Sequence, residues 1–143
     1  MASILKVDTL TGVSTAGSIS VTGEGNSTTT NLQQGLAKVW CSYNGSGTTF
    51  ADSFNMTSAT DNGTGNYTFT LANDMSNANY AASTIVHPGT STSNAIHTCE
   101  ADCSNGYLAG SLRVEVAFGN AASSDRAEFD PTKCAVTFHG DLA

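Results

Sequence analysis

The chain is predicted to be all-β, an antiparallel β-sandwich of jelly-roll-like form preceded by an extended amino-terminal arm. Three observations predict it. Apolar and polar residues alternate over stretches of about five to eight residues, the period of a pleated strand with one face buried. Asn-Gly and Gly-Thr-Gly pieces separate those stretches at Asn44-Gly45, Asn62-Gly63 and Gly63-Thr64-Gly65, and such residues accept the positive φ angles of tight hairpins. The composition is rich in Ser, Thr, Asn and Gly, with 14 glycines against 2 prolines, which favours strands and turns over helices.

In chain order, Ile4 to Leu10 reads as a short strand, Thr11 to Gly17 as a turn, Ser18 to Thr22 as a second short strand, and Gly23 to Thr30 as a polar link. These residues carry too little apolar surface to fold alone. Asn31 to Leu36 fits one helical turn. The first strand of the sandwich follows, with Leu36, Lys38, Trp40 and Ser42 on one face and Ala37, Val39, Cys41 and Tyr43 on the other, ending at Asn44-Gly45. Further strands are expected near Thr49–Phe50, Ser53–Ala59, Tyr67–Ala72, Tyr80–Val86, Ala95–Cys99, Ser111–Phe118 and Ala135–His139. The clearest core rows are Tyr67, Phe69 and Leu71, and Leu112, Val114, Val116 and Phe118. Trp40, Phe54 and Phe138 are expected in the core with most other aromatics. The division into domains is therefore an arm over 1–34 and a sandwich over 35–143. A single domain of this length can bury a core without staples.

Charge narrows the partners. Twelve acidic and 5 basic residues leave a net charge of −7, which disfavours nucleic acid and anionic membranes, since both bind through Lys and Arg. No apolar run is long enough to span a bilayer, and Met1 to Leu10 lacks the basic start and apolar centre of a signal peptide. Synthesis in a cytoplasm is the expectation. There, Cys41, Cys99, Cys103 and Cys134 are expected as free buried thiols, although a Cys99–Cys103 or cross-strand bridge is also open. His97, Cys99, Cys103, Cys134 and His139 are soft ligands in one region of sequence. Cys134 and His139, five apart, would nonetheless face opposite sides of a strand, so no metal site is assigned and no cofactor is expected. Asp8, Asp102 and Asp141 match no compact calcium loop.

Two long connections, His87 to Asn94 and Gly119 to Lys133, are where a sandwich would carry a binding surface. The second holds Asp125, Arg126, Glu128, Asp130 and Lys133 around Phe129 and Pro131. Asp125, Arg126, Glu128 and Phe129 are the candidate receptor or subunit contact, a polar rim around an exposed aromatic. No catalytic pattern stands out. His87, His97 and His139 lie in no nucleophile motif, the Gly-X-Gly pieces lack the Lys or helix of a phosphate cradle, and no pair of carboxylates is placed for sugar hydrolysis. The protein is expected not to be an enzyme.

The segments LAKVWCSYNG, DSFNMTSATDNGTGNYTFT and MSNANY, with the closing VTFHGDLA and the opening MASILKVDTL, resemble short tail-fibre and capsid-fibre-like virion structural proteins of marine bacteriophages. The likeness runs from end to end. The closing segment departs from the Phe-Gly-Asp-Leu-Ala form of that group by His139 between Phe138 and Gly140. The resemblance implies a homotrimeric short fibre that projects from the particle and takes part in host-surface adhesion. Ile4, Leu5, Val7 and Leu10 of the arm would attach to other virion proteins of tail, baseplate or capsid, and the carboxyl-terminal loops would meet a cell-surface glycan or protein. A capsid decoration protein stiffening the head lattice is the alternative it implies. Its location would be the virion, after synthesis in the bacterial cytoplasm.

Overall fold

The structure, a computed structural model, describes residues 4–13, 19–23, 28–89, 95–102, 104, 106–120 and 126–143. They form two compact units that divide between Leu36 and Ala37.

In the first unit, residues 4–13 hold no regular structure, and Ile4, Leu5, Val7 and Leu10 are all exposed. The strand expected over Ile4 to Leu10 is absent: among the described residues no strand pairs with it, and a lone extended segment has no ladder to hold it. A small hairpin follows, β1 (Ser20–Thr22) paired antiparallel with β2 (Thr29–Asn31). Part of the expected link from Gly23 to Thr30 is thus a strand. The helical turn α1 (Leu32–Gly35) begins where expected, because Asn31 caps it by accepting hydrogen bonds from the Gln33 and Gln34 amides.

The second unit is an antiparallel β-sandwich. One sheet has four strands in the order β4 (Thr49–Phe54), β3 (Val39–Asn44), β12 (Lys133–His139), β7 (Ala81–His87). The other is built on β10 (Ser111–Asn120), whose two edges are both fully used. On one edge lie β6 (Asn66–Leu71) and, continuing it, β11 (Arg126–Glu128); on the other lie β8 (Ala95–Ala101) and β9 (Tyr107–Leu108). β5 (Met56–Gly63) pairs outside β6.

Alternation along these strands builds the core. Val39, Cys41, Tyr43, Cys134, Val136 and Phe138 from the four-stranded sheet meet Tyr67, Phe69, Leu71, Leu112, Val114 and Val116 from the other, all buried. Tyr43 sits edge-on to Phe50, Tyr67 and Phe69, with centroids 5.1–5.5 Å away. Trp40 and Phe54, expected in this core, are 37% and 53% exposed. Both occupy the outward phase of their strands, and the period of two overrides the average preference of aromatics for burial. Phe118, the last of its row, is only half-buried, because β10 there runs out to the rim of the sandwich.

The expected strand Ser53–Ala59 is in fact two, in different sheets. Asn55, at φ 58°, lies between β4 and β5, and the chain passes from one sheet to the other there. Its side chain holds the corner: Oδ1 accepts from the Asn73 amide at 2.7 Å, and Nδ2 donates to the carbonyls of Lys38 and Asn73. At the end of the β5–β6 hairpin, Gly65 at φ 68° lies so close to the Val116 carbonyl that a Cβ would collide with it. Asp130 clamps this end, accepting from the Gly65 amide at 2.8 Å and the Tyr67 hydroxyl at 2.6 Å. At another corner the segment after β6 zips to the carboxyl terminus: Met75 bridges Leu142, the Ser76 amide donates to Asp141, and the Ala143 amide to Asp74. Two of the segments that carry the sequence resemblance, MSNANY and HGDLA, are therefore joined in space.

Candidate functional site

The connection expected to form a loop contact contains a short strand among its described residues. β11 pairs with β10 through Ala117↔Glu128 and Gly119↔Arg126, an arrangement hidden in the sequence by its charge and shortness. Arg126 reaches over the outer face of the sheet to Glu100 on β8 at 2.7 Å and Glu115 on β10 at 3.1 Å. The hydrogen bond to Glu115 raises the pKa of Arg126 above its ordinary value, and the neighbouring Glu100, Glu115 and Glu128 charges add to the effect. Beside this bridge runs a shallow groove of about 300 Å³ lined by Ile96, Thr98, Glu100, Phe118, Gly119 and Arg126.

Of the four residues expected to act together here, Arg126 and Glu128 are exposed and Asp125 lies outside the described residues. Phe129 is not the exposed aromatic expected. It packs against the core, edge-on to His97 at 5.4 Å and Phe118 at 5.9 Å, because the chain turns inward to reach Asp130 and buried Pro131.

A second surface is more apolar. The outer face of the four-stranded sheet carries Trp40 directly opposite Phe54, and Ile85, 69% exposed, opposite Ala135. Thr137 and Ser83 lie between them on the same face. Asp52 is the acidic group in the pairing row next to Trp40 and Phe54. This face escapes an assumption that aromatics are core. The signal for it is the strand phase itself, which sets Trp40 against Val39, Cys41 and Tyr43.

The expected soft-ligand group is dispersed. Cys99 and Cys134 meet across the sandwich with their sulfurs 3.3 Å apart. His97 stacks on phenylalanines instead, His139 lies on the outward phase of β12, and Cys103 lies outside the described residues. Among the described residues no group of three or more His, Cys, Asp or Glu side chains is placed to hold a metal ion. Cys41, Cys99 and Cys134 are free thiols. Asp102 has a structural partner: buried at the end of β8, it pairs with Arg113 at 3.3 Å and accepts from the Ser104 amide at 2.7 Å.

No protein-family model, curated protein or solved structure matches the chain. No helix among the described residues is long and apolar enough to cross a membrane.

Proposed function

We propose that this protein is a bacteriophage virion structural protein, a homotrimeric short fibre that projects from the particle and takes part in adhesion to the host surface. The observation that carries the reading is the outer face of the four-stranded sheet, where Trp40, Phe54 and Ile85 are exposed beside Ala135, Thr137 and Ser83. Apolar groups of this size gathered on one face of a small domain favour contact with another protein surface, and for a repeated subunit that surface is most simply its own copy. The edges β4 and β7 flank the same face, each pairing on one side only among the described residues, and an assembly protects such open sides.

The role itself is supported by the sequence resemblance. The exposed Ile4, Leu5, Val7 and Leu10 suit an arm that becomes ordered on other virion proteins. Arg126 and Glu128, exposed beside the outer-sheet groove, suit polar contact with a surface glycan or protein.

Quantitative gel densitometry of purified particles tests the reading. A few tens of copies per particle, with imaging that locates them on a projecting appendage, is the expected result. Hundreds of copies spread over the head would overturn it in favour of a decoration protein.

A further inference from the structure

Two thiols from opposite sheets lie unusually close at one side of the sandwich. Cys99 on β8 and Cys134 on β12 share a hydrogen bond with their sulfurs 3.3 Å apart, although β8 and β12 do not pair. The sheets are drawn together there by the Thr84 hydroxyl of β7, which donates to the Cys99 carbonyl. Cys134 is fully buried, whereas Cys99 is half-buried on a strand that, among the described residues, pairs on one edge only.

We propose that Cys99 and Cys134 form an oxidation site at which a hydroperoxide installs a disulfide that staples the two sheets. Cys99 is the sulfur that reacts first. The hydrogen bond from the Cys134 thiol lowers its pKa against the effect of burial, while the same hydrogen bond and burial raise that of Cys134. In the first step the Cys99 thiolate attacks the distal peroxide oxygen. A sulfur–oxygen bond forms, the oxygen–oxygen bond breaks, and the departing oxygen leaves as hydroxide or alkoxide and takes up a proton. Conversion to the sulfenic acid removes the negative charge that held the Cys134 proton in place. Cys134 then attacks Cys99 Sγ, the disulfide forms, and the sulfenic oxygen leaves as water. The two thiols lose two electrons and two protons, and one peroxide becomes an alcohol or water, with a further water released. Cys41 stays a protonated bystander, since burial pushes its pKa up to about 12.

The site does not depend on the assembly reading above. Its effect is to let the chain fold with reduced thiols and be fastened afterwards, once it meets an oxidising medium.

Peptide mapping of the full chain without reductant, before and after hydrogen peroxide, tests the site. Cleavage after Asp52, Asp74, Glu100 and Glu115 puts Cys41, Cys99, Cys103 and Cys134 on separate peptides. The expected product is a Cys99–Cys134 linked pair, about 2 Da lighter than its reduced halves and reversed by dithiothreitol. Closing a 35-residue separation should raise the thermal midpoint by about 10 °C. Cys41→Ala keeps both the link and the shift, and Cys99→Ser loses both. A sulfinic acid at Cys99 with Cys134 unlinked, or a bridge from Cys99 to Cys41 or Cys103, would overturn the proposal.

Discussion

Asn55 concentrates more consequence than any other single side chain in the sandwich. It adopts a backbone conformation that few residues accept, and its amide ties the start of β3 to the segment after β6. The two contributions separate experimentally. Asn55→Gly keeps the conformation and loses the side-chain bonds, for an expected cost of about 1–2 kcal/mol. Asn55→Ala loses the same bonds and leaves in the left-handed region a residue that tolerates it less well than Asn or Gly, and should cost about 1 kcal/mol more; urea midpoints of the two variants check the order. Tyr43 is the opposite case. Its hydroxyl is the buried side-chain oxygen without a hydrogen-bond partner among the described residues, while its ring is held by three aromatic neighbours. Tyr43→Phe is therefore expected to be neutral or to stabilise by up to about 1 kcal/mol. Tyr67→Phe, which removes the 2.6 Å bond to Asp130, should destabilise in the same urea series.

At the scale of elements, the strands that carry the core were legible because their alternation is long and clean. Tyr67, Phe69 and Leu71 lie beside Leu112, Val114 and Val116 on one inner sheet face, as the residue pattern requires. The elements that escaped are those whose existence depends on a distant partner. β11 and β9 are three and two residues long and are strands only because β10 offers a free edge to each. The break at Asn55 leaves no periodic trace, since Phe54 and Met56 both read as strand on either side of it. Trp40 shows that the alternation held more information about the candidate surface than residue type did.

Met75 gives a test of another non-local element. It is almost wholly buried, between the turn before β7 and the carboxyl-terminal residues, and its amide donates to Ala109. Met75→Ala should cost about 2–5 kcal/mol. Amide exchange should then rise in 140–143 before it rises in β3, because the terminus loses the side chain it packs on.

At the scale of the whole molecule, the last strand in sequence lies between β3 and β7, so the four-stranded sheet closes only after β12 arrives. The core so formed holds Cys41 and Tyr80 in their neutral forms. Burial pushes both Cys41 and Tyr80 up to about 12. With folded values above the unfolded ones of 9.0 and 10.0, the native state holds these protons more tightly. Their contribution to stability is full below about pH 9 and is lost as pH rises through about 12. Circular dichroism across that window should show alkaline unfolding coincident with tyrosine ionisation.

Self-association through the outer face of the four-stranded sheet is the claim on which the functional reading rests. Light scattering of the full chain over a hundredfold dilution measures it directly. A species of three times the 14.6 kDa chain mass, lost in the Trp40→Ser/Phe54→Ser variant while its circular dichroism is unchanged, is the expected result. A monomer at every concentration, or a trimer indifferent to that double substitution, would contradict it.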